Sequence, residues 1–140
     1  MVGMNAAEAV RVKTENLRKR IDGLQLERNV SDLSIDGYTV IRDAAPLSFF
    51  EELRESVLRI NHRMKGFRRF PTNLLNEGIV FEQAVQLEKL NTLYEFLLGP
   101  NFIVSQVSAS VKRTTPKPFA IHADMNGYEQ PFPGHSVIAT

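Results

Sequence analysis

The hydrophobic period of this chain changes once, at Gly99-Pro100, and that change narrows the folds open to it. Before it, apolar residues recur at helical spacing. In residues 6–28, Val10, Leu17, Ile21 and Leu24 stand seven, four and three apart, one narrow stripe on an otherwise charged helix. Gly23 weakens the pattern near its end. From about Pro46 to Met64, Leu53, Val57, Ile60 and Met64 repeat at i, i+4, i+7 and i+11. Pro46 suits a first-turn position, where its missing N–H would be unpaired anyway, and Gly66 suits a left-handed helix end. Residues 66–80 hold no sustained period and read as a loop. A third helix is expected over 82–98, with Val85, Leu90, Leu93, Tyr94 and Leu97 inward and Gly99-Pro100 as its stop.

After Pro100 the period is two. Val107, Ala109 and Val111 fall on one face, and Gln106, Ser108, Ser110 and Lys112 on the other, so a strand is expected from Val104. The segment FAIHAD, 119–124, reads as a second short strand, MNGYEQPFPG as turns, and HSVIAT as a third strand beginning. Tyr38-Thr39-Val40-Ile41, after the Asp36-Gly37 turn, is an earlier run of β type. Helices followed by strands predict an α+β fold, with residues 1–31 as an N-terminal helical extension.

Composition excludes several chemistries. The 140 residues suit one domain, and a net charge of +1 gives no reason to expect nucleic acid or an anionic membrane as partner. No apolar run approaches the length of a bilayer span, and the N-terminus has no signal-type apolar core, so the cytoplasm is the expected compartment. There is no cysteine, which removes disulfides, iron–sulfur clusters, thiolate zinc and a thiol nucleophile together. Any metal must be held by His, Asp or Glu.

That points to His122 and Asp124. On a strand, i and i+2 share a face, so this pair presents an imidazole beside a carboxylate. Two histidines and one carboxylate hold Fe(II) on one side and leave positions open for oxygen and an oxo-acid, and H-x-D supplies two of those three groups. A histidine hydrogen-bonded to a nearby carboxylate is the competing reading. His62 stands near a helix end, where its charge is favoured by the dipole, and reads as a partly exposed surface residue. Arg68 and Arg69 read as solvated loop residues, with an anionic substrate group as the sharper alternative.

The order from DGYTVIRDA through PLSFFEELRESVLRI and LLGP to SQVSASVKRTTPKPFAIHAD resembles the phytanoyl-CoA dioxygenase family over residues 32–140. Its most specific part is the pairing of the G-Y-x-V-I start with IHAD. That resemblance implies a double-stranded β-helix (jelly-roll, cupin-like) core, with residues 32–140 as its front portion. It also implies Fe(II) as cofactor, 2-oxoglutarate as cosubstrate, and hydroxylation of a small organic or acyl substrate. His122 and Asp124 match the family's first two iron ligands. Gln106 and Phe119 match positions that in some members contact 2-oxoglutarate, with Lys112 a further candidate for a carboxylate contact. A polar strand residue and a core aromatic remain the competing readings of Gln106 and Phe119.

The family pattern also needs a later histidine and, beyond it, an arginine. Here the later histidine is His135, in PFPGHSV, which reads as a loop residue, and no arginine follows Asp124. The expectation is therefore a C-terminally incomplete core, unstable and inactive by itself. The alternative is a non-catalytic shortened relative that binds a partner as a half-domain. Oligomeric state and substrate identity stay open.

Overall fold

The computed structural model describes residues 6–64 and 73–111. The first expected helix, over 6–28, is α1 (Ala6–Gly23), and a further helix, α2 (Glu27–Asp36), follows where none was expected. Between them Gln25 N–H donates to the Asp22 carbonyl at 3.2 Å, and Leu26 N–H to the Ile21 carbonyl at 2.9 Å. This nested pair of bonds closes a helix end when the residue between them is left-handed, and Gln25 takes that role with φ 57°. Gly23 is still helical. The closure folds Leu26 inward, where it is 2% exposed.

The β-type run at Tyr38–Ile41 makes no strand. Gly37, left-handed at φ 77°, ends α2, and side chains then take up the backbone groups that a neighbouring strand would have used. The Asn29 amide donates to Thr39 Oγ1 at 2.9 Å and to the Val40 carbonyl at 3.2 Å. Thr39 Oγ1 in turn donates to Asp32 Oδ2 at 3.1 Å. Lys89 Nζ donates to the carbonyls of Arg42 and Asp43 at 3.4 and 3.3 Å. Tyr38 and Val40 are left exposed.

Helix α3 (Leu47–Arg63) follows the expected stripe. Pro46 lies one step outside it, and its carbonyl accepts from Phe49 N–H at 3.0 Å and Phe50 N–H at 3.4 Å. Leu53 and Val57 pack toward the core and Ile60 is 4% exposed, whereas Met64, just past the helix, is extended and partly open to solvent. Gly66 lies outside the described residues.

The expected loop over 66–80 contains core. Leu74–Glu77 form a short 3₁₀ turn, and Leu74 is 1% exposed. With Ile60, Val80 and Phe81 it makes the buried cluster against which Phe49, Leu53, Val57, Leu75, Val107 and Ala109 pack. One buried leucine on four residues has no period to reveal it. Gly78 then joins the 3₁₀ turn to α4 (Ile79–Val85) at φ 154° and ψ 157°, backbone that side-chain-bearing residues rarely adopt. A Cβ there would meet nothing within 4 Å, so substitution costs backbone strain alone. Gly78→Ala is expected to lose about 1–3 kcal/mol, read as a lower urea midpoint with unchanged slope. An unchanged midpoint would show that the turn relaxes freely.

The third expected helix is split, into α4 and α5 (Glu88–Leu98), at Gln86-Leu87. Helix α5 carries Leu93, 4% exposed, and Thr92, which is fully buried with no hydrogen bond to its Oγ1. It packs against α1 and α2. The Arg20 guanidinium pairs with the Glu95 carboxylate across the α1–α5 contact.

The expectation of an α+β fold carrying the first strands of a double-stranded β-helix (jelly-roll) core is corrected here: among the described residues there are five α-helices and one 3₁₀ turn, and no strand or sheet. Residues 106–111 keep the alternation foreseen for them, since Val107, Ala109 and Val111 are partly buried while Gln106, Ser108 and Ser110 are exposed, whereas Ile103, Val104 and Ser105 are all exposed. Among the described residues no ladder forms along the segment 102–111. Its backbone is tied to the described residues at one point, where the Val107 carbonyl accepts from Leu74 N–H at 3.1 Å. Alternation reports one wet and one dry face, and a strand also needs a neighbour. The jelly-roll strands expected at 119–124 and 135–140 lie outside the described residues. No helix among the described residues is long and apolar enough to cross a membrane.

Candidate functional site

The bond from Leu74 N–H to the Val107 carbonyl brings the 3₁₀ turn against the 102–111 segment. An open groove of about 140 Å³ runs where they meet. Asn73, Asn76, Ser105 and Gln106 supply its polar groups, and Leu75, Val104 and Val107 its apolar ones. Both walls are rooted in the core, one through Leu74 and the other through Val107. Asn73 enters the 3₁₀ turn at φ 60° and ψ 39°, left-handed backbone that asparagine tolerates better than most residues. Its carbonyl accepts from Asn76 N–H at 3.1 Å, closing the turn. The Arg63 guanidinium pairs with the Glu77 carboxylate at the next position along.

Of the candidate site residues, Gln106 is the one the structure places, exposed and in this groove. Its amide donates two hydrogen bonds and its carbonyl accepts, so it can engage a carboxylate as a neutral donor. Among the described residues no charged side chain lines the groove. His122, Asp124 and Phe119 lie outside the described residues, as do Arg68, Arg69, Lys112 and His135. His62 is exposed in the last turn of α3, where a surface histidine was expected. Asn73 and Asn76 went unnoticed in the sequence. Their signal was the quartet Asn-Leu-Leu-Asn, two amides one helical turn apart around an apolar pair.

No cluster of three His, Cys, Asp or Glu among the described residues could hold a metal. The donor chemistry of His122 and Asp124 does suit Fe(II), a neutral imidazole and a hard anionic oxygen being two-thirds of the ligand set that leaves iron open on one side. No family model, no curated protein and no solved structure matches the chain.

Proposed function

We propose that this chain contributes to a non-haem Fe(II)- and 2-oxoglutarate-dependent oxygenase of a small organic or acyl substrate, with His122 and Asp124 as two of the iron ligands. The observation that carries the reading is the H-x-D pair in a cysteine-free chain, together with the likeness to the phytanoyl-CoA dioxygenase family. It rests on those residues and not on a fold class. Bound iron would supply oxygen activation, coupled to oxidative decarboxylation of 2-oxoglutarate and hydroxylation of a C–H bond. His122 would bind through a neutral ring nitrogen and Asp124 would offset part of the metal's charge. Gln106, matched to a cosubstrate position by that likeness, stands in a groove with no charged group among the described residues, so the reading rests on His122, Asp124 and Phe119 and not on Gln106. Phe119 would wall the cosubstrate from water. The 140 residues hold no arginine after Asp124, so the proposal assigns them metal and cosubstrate contacts and leaves turnover to be measured.

Removing a metal ligand costs at least as much as removing a group that merely orients one, about 10–100-fold in affinity. His122→Ala and Asp124→Ala should each weaken Fe(II) binding by at least that factor in anaerobic titration of the full chain. Equal affinity in all three proteins would end the assignment.

A further inference from the structure

The groove between the 3₁₀ turn and 102–111 has a chemistry of its own, independent of iron. Among the described residues its polar side chains are three carboxamides and one hydroxyl, with no ionised group. None of the four bonds to another described residue, although Leu74 and Val107 hold both walls in place. A carboxamide offers donors and acceptors together, whereas a carboxylate only accepts and an ammonium only donates. Facing three carboxamides, an ion of either sign leaves half of their groups unmatched. Another carboxamide matches both halves, N–H to C=O and C=O to N–H. The groove is also far below the roughly 300–1,000 Å³ of sites that enclose a whole small molecule, so it engages one functional group. Leu75, Val104 and Val107 offer apolar contact to the methylene stem behind that group.

We propose that this groove binds an uncharged ligand through a carboxamide, carried either by a small primary amide or by the Asn or Gln side chain of a peptide. Asn73, Asn76 and Gln106 pair with it. The strained backbone at Asn73 belongs to the same feature, since it turns that residue into the 3₁₀ entry beside Asn76.

The test follows the side-chain NH₂ signals of Asn73, Asn76 and Gln106 by NMR on the labelled full chain. The probes are propionamide, N-acetyl-glutamine methylamide, propionate and propylammonium at matched concentrations. Saturable shifts of these signals with an amide, and none with either ion, are the expected result. Saturation by the capped glutamine alone assigns the group to a peptide, and saturation by propionamide as well assigns it to any primary amide. Gln106→Ala should weaken the response at Asn73 and Asn76 about tenfold, the loss expected for one hydrogen-bonded pair. Gln106 is exposed, so unmoved backbone signals at Leu74 and Phe81 will confirm that the variant keeps its fold. Shifts that stay linear with every probe, or propionate saturating as the amides do, would overturn the proposal. Neither outcome bears on Fe(II) binding at His122 and Asp124.

Discussion

Phe81→Ala is expected to destabilise this chain by about 3–5 kcal/mol, the largest effect of any single substitution considered. Phe81 is 1% exposed and is among the largest of the fully buried side chains. It stands at the meeting point of α3, the 3₁₀ turn and α4, in one cluster with Ile60, Leu74 and Val80. Truncation removes the apolar transfer energy of the ring and leaves a cavity that these three neighbours close only in part. A domain's whole stability is about 5–15 kcal/mol, so the variant should lose much of its folded population well below the parent's melting temperature. The loss would also reach the groove, because Leu74 and Val107 hold its walls and both belong to this core. Denaturant unfolding followed by far-UV circular dichroism measures it. A loss under about 1 kcal/mol would mean that the cluster is not the core of the fold.

Leu26→Ala is the second, at about 2–5 kcal/mol. Leu26 is 2% exposed but is not a member of the Phe81 cluster. It reaches the interior through the helix closure at Gln25, beside the contacts of α1 and α2 with α5. The Arg20–Glu95 pair in the same region is partly open to water and contributes little by comparison, about 0–1 kcal/mol. Among the described residues of α1, α2 and their connection, Leu26 is the one buried hydrophobic side chain, and its burial outweighs that pair. The expected result is a lower midpoint in the same single transition that Phe81→Ala shifts. A separate early transition, with the main one unmoved, would make α1 and α2 an appendage that folds without the core.

The sustained patterns of the sequence were the readable ones. The stripe of α3 carries Leu53, Val57 and Ile60 to the core because about three turns of unbroken period leave one way to bury them. The alternation at 107–111 foretold which side chains are covered. It could not foretell a sheet, because pairing belongs to two segments and alternation describes one. The breaks were harder. Gly23 was expected to weaken the end of α1, yet it stays helical and Gln25 takes the left-handed position two residues on. The run 82–98 looked continuous, yet its helical period restarts at Glu88 after Gln86-Leu87. Tyr38–Ile41 had β-type side chains, yet its Val40 carbonyl is taken by Asn29 of α2, and Lys89 of α5 takes the next two carbonyls, of Arg42 and Asp43. Of the candidate site, Gln106 was found as a polar residue on the exposed face. Asn73 and Asn76 were hidden because the 3₁₀ turn that presents them is too short to show a period.

Paramagnetic broadening by Mn²⁺, a stand-in for Fe²⁺ at oxygen and imidazole ligands, tests the iron assignment most directly. Substoichiometric Mn²⁺ should first extinguish the NMR signals of His122 and Asp124 and of the residues beside them, and His122→Ala should abolish that selectivity. Broadening centred elsewhere, or spread evenly over the exposed carboxylates in both proteins, would contradict it.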